Sequence, residues 1–227
     1  MCGVVAIYSD VVEGGIMSTI ERLMLESQIR GKRATGVSYL TTMGMETIIE
    51  STSADSFLEK HLNRICDDIQ DYGKVRFIGH TRYSTTSVDL DHQPVYDYDT
   101  SLVMNGVITQ SDSSQWKELF GIDPHSTNDA SVIFDLYKKG QMPYDVKTDT
   151  DLSMSVVILK RNGRIIVCRN HKRPGWILQT SAANYYASTD DILKRALGDV
   201  TPYSINPAQM YSLENPVTGI RNEVDWQ

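Results

Sequence analysis

Residues 2–8 read Cys-Gly-Val-Val-Ala-Ile-Tyr, a continuous apolar and β-rich run that predicts a buried strand at the head of the chain. The residues after it change period. Ile16, Ile20, Leu23, Met24 and Ser27 recur at helical spacing, and the helix they predict stops near Gly31. Residues 35–40 and 46–50 read as strands turning at Met43-Gly44, and a second helix follows Ser53 with Leu58, Leu62, Ile65 and Ile69 on one face. Residues 75–79 predict a strand leading into a loop over 80–91. Residues 102–108 predict another strand, interrupted by Asn105-Gly106. A helix is expected over 128–139, ended by Gly140. Residues 154–159 and 164–168 flank Asn162-Gly163, the strongest short hairpin signal. A further hairpin is expected over 176–188, a short helix over 190–197 and a last strand over 210–213. Strands and helices come in blocks with hairpins, without regular βαβ alternation. That order predicts an α+β protein of antiparallel sheets with segregated helices.

The 227 residues suffice for a sizeable core: a single domain of this length buries roughly 70–75% of its unfolded surface. Lys and Arg number 22 against 29 Asp and Glu, a net charge of −7 that argues against nucleic-acid binding. With 41% hydrophobic and 22% charged residues the composition is that of a globular protein, not a disordered one. No apolar run approaches the ~20 residues of a membrane span, and no signal peptide is visible. Three widely spaced cysteines, Cys2, Cys66 and Cys168, make neither a disulfide framework nor a zinc motif, so a reduced, cytoplasmic protein is expected. Cys66 and Cys168 fall on apolar faces and read as packing thiols.

Several residues have both a chemical and an ordinary reading. Met1 precedes a small residue, so its removal would leave Cys2 carrying a thiol and an α-amine of pKa about 7.7–8.0, able to act as base for its own thiol. Taken alone, Cys2 is a small residue at a strand start. Asn105-Gly106 is ordinarily a turn, yet it is flanked by Leu-Val-Met and Val-Ile-Thr; a side-chain amide beside a backbone N–H also makes an oxyanion hole. Arg82, just after a buried strand, could clamp a carboxylate with its planar fork or form a surface ion pair. Asp129 could partner a substrate ammonium or serve its own helix as a first-turn acid. His80 and His92 have no further ligand at metal-binding spacing, so no metal is expected; no phosphate-cradling glycine motif appears either, so no cofactor is.

Taken in order, these segments resemble the glutaminase domain of class II glutamine amidotransferases, the N-terminal-nucleophile type. Met1 to Tyr8 is similar to that family's Met-Cys-Gly-Ile start. Arg30-Gly31-Lys32-Arg33-Ala34-Thr35-Gly36-Val37 resembles its RGxDSxGI segment, and Gly79-His80-Thr81-Arg82-Tyr83-Ser84-Thr85 its GHTRWAT segment. His92-Gln93-Pro94 resembles the Ala-His/Gln-Pro that follows. Asn105-Gly106-Val107-Ile108 resembles NGxI, and residues 128–133 resemble SDTEVI. Residues 186–193 are similar to a late Ala-Ser-Glu segment. Any one motif is weak, but seven in order, from residue 2 to about 213, are specific.

The resemblance implies a four-layer αββα sandwich of two antiparallel sheets flanked by helices (the Ntn-hydrolase fold), in a single stand-alone amidotransferase domain over residues 1–227. It implies Cys2 as nucleophile, Asn105 and Gly106 as oxyanion hole, Arg82 on the glutamine α-carboxylate and Asp129 on the α-ammonium. Tyr83 and Thr85 match positions lining the glutamine pocket. The implied enzyme hydrolyses the glutamine side-chain amide through a Cys2 thioester and passes ammonia to a separate synthase. Two other readings stay open: a free-standing γ-glutamyl amide hydrolase, and an inactive regulatory module of the same fold. The sequence departs from the pattern at Arg33, which replaces an acid, at Tyr83 and Ser84, at Met104 and at Ser131. These mark a divergent member.

Overall fold

The computed structural model describes residues 2–83, 92–123, 126–141 and 152–214, together with the backbone of 218–220. Its first half runs β1 (Gly3–Ser9), α1 (Ile16–Ser27), a 3₁₀ turn (Gln28–Arg30), β2 (Ala34–Thr41), β3 (Gly44–Glu50), α2 (Ala54–Tyr72) and β4 (Val75–Arg82). Then come β5 (Val95–Tyr96), β6 (Thr100–Val107), α3 (Trp116–Phe120), α4 (Ala130–Lys138), β7 (Ser153–Lys160) and β8 (Ile165–Arg169). The chain continues through β9 (Trp176–Gln179), β10 (Asn184–Ala187), α5 (Asp190–Leu197), β11 (Tyr203–Ser204), β12 (Met210–Ser212) and β13 (Thr218–Ile220). The strands form two sheets, ordered β11-β9-β10-β1-β4-β2-β3 and β13-β12-β8-β7-β6-β5. Neighbouring strands pair antiparallel throughout.

Three apolar layers explain why the central strands read as unbroken hydrophobic runs. Val5 and Ile7 of β1 and Phe77 of β4 face Leu23 and Met24 of α1, Phe57 and Ile65 of α2 and Leu193 of α5. Their strand neighbours Val4, Ala6 and Ile78 face the other way, against Val103, Val157 and Val167 of the second sheet. The outer face of that sheet, with Leu102, Met104, Val156 and Ile158, packs on Val132, Ile133 and Leu136 of α4. Successive strand residues therefore enter different cores, and both must be apolar. The result is helices, sheet, sheet, helices: the expected αββα sandwich.

The sequence reading needs correction in two places that matter for function. Asn105-Gly106 does not interrupt its strand. Both residues pair with β7, Asn105 opposite Ser155 and Gly106 opposite Met154. A two-residue hairpin turn of the Asn-Gly kind needs positive φ at both residues, and neither has it. The chain does turn between β7 and β8, though not as such a two-residue turn: Gly163 has φ 92° while Asn162 is not in the positive region, and the Gly163 N–H closes the turn on the Lys160 carbonyl at 2.9 Å. The loop expected from His80 begins later, because β4 runs on to Arg82 with His80 paired to both Val4 and Gly36. The remainder of that loop, residues 84–91, lies outside the described residues. The short elements α3, β5, β11 and β13 are too brief to show a period in the sequence.

Gly3 fixes how β1 enters the sheet. A Cβ there would lie 2.3 Å from the Ser27 carbonyl oxygen and 2.4 Å from Thr81 Oγ1. Those two atoms are themselves joined by a 2.8 Å hydrogen bond, which ties the end of α1 to β4. Gly3→Ala is therefore expected to cost about 1–3 kcal/mol through overpacking. Urea unfolding of the variant measures it, and wild-type stability would show that β1 can shift without cost.

Candidate active site

Gly3 pairs with Thr81, so Cys2 stands at the end of the sheet beside Arg82 and Tyr83. Its N–H crosses to the other sheet and donates to Asn105 Oδ1 at 3.1 Å. Its carbonyl accepts from Arg30 Nε at 3.0 Å. Burial pushes the Cys2 thiol up from its ordinary value; the Tyr83 backbone N–H and the Arg82 charge pull the other way, and Asp129 adds to the rise. The thiol is thus held mainly protonated at neutral pH, with groups placed to receive its anion.

The second half of the site is an open strand edge. β5 pairs with β6 only at Ser101 and Leu102. Beyond Leu102, no described strand covers that edge. Met104 N–H donates instead to Gln93 Oε1 at 2.5 Å, and Ile108 N–H to Asp129 Oδ2 at 2.6 Å. Backbone N–H groups alternate between the two edges of a strand. The Gly106 N–H therefore points to the same edge as that of Met104, between the two satisfied groups. Side chains alternate too, and Asn105 projects between the sheets at 1% exposure. Its Nδ2 is buried and has no hydrogen-bond partner among the described residues. An unsatisfied buried donor costs about 1–3 kcal/mol, so its neighbourhood suits an acceptor brought by a ligand. Gly106 has to be glycine: a Cβ would sit 2.0 Å from the Ser153 carbonyl oxygen.

Asp129 stands at the N-cap of α4 but does not cap it. Asn128 Oδ1 takes the Ala130 N–H at 3.0 Å instead. The Asp129 carboxylate turns to the β6 edge, where the N–H groups of Ile108 and Thr109 reach it; burial nonetheless raises its pKa, with Arg82 partly opposing. The ordinary reading of Asp129, a first-turn acid serving its own helix, is not what the geometry shows.

Arg82 Nη1 meets His92 Nδ1 at 2.7 Å. Tyr83 contributes its backbone N–H to Cys2, while its side chain is 57% exposed. Thr85 lies outside the described residues. His80 is buried, its ring hydrogen-bonds the Met104 backbone, and desolvation pushes its pKa down to about 3, which keeps it neutral. Cys66 and Cys168 are buried, their thiols pushed up to about 11 and about 12. No group of three or more His, Cys, Asp or Glu among the described residues is placed to hold a metal. Five predicted residues thus converge: Cys2, Arg82, Asn105, Gly106 and Asp129. Sequence reasoning missed the contacts of Arg30, His92 and Gln93, because no spacing rule signals a side chain that satisfies a distant backbone group.

No family model matches this sequence, and no curated protein matches it. Solved structures do. A glutamine phosphoribosylpyrophosphate amidotransferase from B. subtilis, complexed with ADP and GMP, superposes with a TM-score of 0.69 at 18% identity. A structure described as the allosteric regulatory enzyme of purine biosynthesis superposes with a TM-score of 0.71 at 16% identity. Each match covers 97% of this chain and 49% of the other, so this chain spans about half the length of either protein. At these identities the likeness is one of fold, and the fold is the αββα sandwich of the N-terminal-nucleophile hydrolases.

Proposed function

We propose that this chain is the glutaminase part of a class II glutamine amidotransferase, hydrolysing the side-chain amide of glutamine. The observation that carries the reading is the hydrogen bond from Cys2 N–H to Asn105 Oδ1, which joins a candidate nucleophile to a buried amide with an unsatisfied donor. The fold shared with a glutamine phosphoribosylpyrophosphate amidotransferase supports it.

In this reading Met1 is removed, and the nitrogen 3.1 Å from Asn105 Oδ1 becomes a free amine. That amine accepts the thiol proton, and the thiolate attacks the glutamine amide carbon. Asn105 Nδ2 and the Gly106 N–H hold the oxyanion. The amine returns the proton to departing ammonia, and water then cleaves the γ-glutamyl thioester. Arg82 and Asp129 hold the carboxylate and ammonium of the amino-acid head through charge-assisted contacts.

Kinetics on four variants test the roles. Cys2→Ala abolishes hydrolysis and leaves the fold intact, and mass spectrometry of the active protein finds Cys2 at the N-terminus. Asn105→Ala lowers kcat by about 10²–10³, the usual loss for one oxyanion donor. Arg82→Ala and Asp129→Ala chiefly raise KM, since each charge acts equally on ground and transition states. A change in KM alone for Asn105→Ala would remove it from the oxyanion hole.

The pH dependence of glutamine binding follows from Asp129. Only its ionised form attracts an ammonium, and burial places its pKa above the ordinary carboxylate value. Protonation, and with it loss of affinity, therefore begins at higher pH than for an exposed carboxylate. Calorimetry on the Cys2→Ala protein should show affinity falling as pH drops through that raised pKa. Affinity that stays flat down to acid unfolding takes Asp129 out of the site.

Ammonia passes, in this proposal, to a separate ATP-dependent synthase docked where the pocket opens. The turn over residues 169–175 is the segment this proposal assigns to that opening; its Arg173 Nε donates to Ser153 Oγ, and a Cβ on Gly106 would meet the Ser153 carbonyl oxygen at 2.0 Å, which ties the turn to the β6–β7 pair. Hydrolysis by the purified chain should then be slow and should rise when the synthase and its acceptor are added. Rapid hydrolysis with no response to cell extract favours a free-standing γ-glutamyl amide hydrolase.

A further inference from the structure

Two hydrogen bonds fix the state of His92. Its Nδ1 lies 2.7 Å from Arg82 Nη1, and its Nε2 lies 2.7 Å from Ser51 Oγ. A guanidinium has donors and no acceptor, so the lone pair at the contact belongs to Nδ1. The ring proton is then on Nε2 and is donated to Ser51 Oγ. His92 is thus neutral and in one tautomer, because a proton on Nδ1 would set N–H against N–H.

The ring is also held in place from outside this pair. The chain following it is pressed onto β2: a Cβ on Gly36 would meet the Gln93 carbonyl oxygen at 2.1 Å and Pro94 Cδ at 2.7 Å. The Gln93 side chain is engaged by the Met104 N–H. His92 therefore joins three separate elements, the end of β4 through Arg82, the turn after β3 through Ser51, and the β6 edge through its neighbour Gln93.

We propose that His92 is a positioning residue: its neutral imidazole anchors one terminal nitrogen of Arg82 and so orients the guanidinium for the α-carboxylate of the substrate. This rests on the glutaminase reading above. A long arginine side chain loses much rotamer freedom when it grips a ligand, and an anchor applied beforehand removes part of that loss at the moment of binding. The contribution is therefore one of substrate capture, not of chemistry.

Steady-state kinetics with two substrates test it: glutamine, and the glutamine derivative whose α-carboxylate is replaced by a carboxamide. His92→Phe should raise KM for glutamine about tenfold with kcat within about twofold, as expected when a contact acting equally on ground and transition states is lost. KM for the carboxamide derivative should not change, because that substrate offers Arg82 no carboxylate. His92→Gln restores the contact, its carbonyl accepting from Arg82 and its amide donating to Ser51, and should bring KM back toward wild type. A merely structural role would move both substrates together. Equal KM values for wild type and His92→Phe, or equal effects on the two substrates, overturn the proposal while leaving the glutaminase reading standing. Wild-type protein that hydrolyses neither substrate overturns both. Should His92→Phe fail to fold, Ser51→Ala carries the same test at an exposed position: a rise in KM confined to glutamine supports the anchor, and no change overturns it.

Discussion

The short strand β5 leaves the far half of β6 with an edge that no described strand covers, and the site is organised around that edge. Backbone N–H groups in a folded protein are nearly always satisfied, and bare sheet edges are usually blunted. Here the blunting is done by side chains. Gln93 takes the N–H of Met104, and Asp129 takes that of Ile108. Gly106 stands between them with its N–H on the same edge and no room for a side chain. A paired neighbour strand would have consumed these donors in a ladder. Side-chain clamps at two positions leave room for a small acceptor at the one between.

The same economy runs through the helix behind the edge. An aspartate at an N-cap ordinarily accepts from its own helix. Because Asn128 does that for α4, the Asp129 carboxylate turns outward to β6 without leaving the helix end unsatisfied. Polar contacts also fasten the two sheets across the apolar layer between them. Ser38 Oγ meets Ser101 Oγ at 2.7 Å, Cys2 N–H meets Asn105, and Ser155 meets the Tyr186 hydroxyl. Ser155 is the cross-strand partner of Asn105. Buried polar pairs of this sort add directional constraint where hydrophobic contact alone would allow sliding.

How much of this is legible in the sequence depends on the range of the interaction. The helix over 190–197 reads directly, since its period, its acids at the start and its closing glycine are all local. The Asn162-Gly163 turn is local too. Asn105-Gly106 carries the same dipeptide and misleads, because what decides between turn and strand is whether β7 is there to pair with it, a partner some fifty residues away. The candidate residues themselves were named by motif. Their support was not: the contacts of Gln93 and His92 form between segments whose juxtaposition follows from the sheet order. Arg30 lies in a quoted motif, yet nothing in the spacing says that its Nε would hold the Cys2 carbonyl.

The raised thiol pKa of Cys2 bears on which group serves as base in the proposed reaction. A thiol that burial keeps protonated reacts only if a neighbour takes its proton. The ionisable groups around the site among the described residues are poorly suited. Asp129 has its carboxylate engaged by two backbone N–H groups of the β6 edge. The His80 ring is bonded to the Met104 backbone, with a pKa near 3. His92 has its basic nitrogen turned to Arg82. Arg82 and Arg30 cannot accept a proton. The nitrogen of residue 2 remains, adjacent to the thiol in the covalent structure and already oriented by Asn105 Oδ1. As a peptide nitrogen it has no basicity; as a free amine it would have a pKa of about 7.7–8.0. In the proposed reaction that amine is the base, which makes removal of Met1 part of the proposed mechanism.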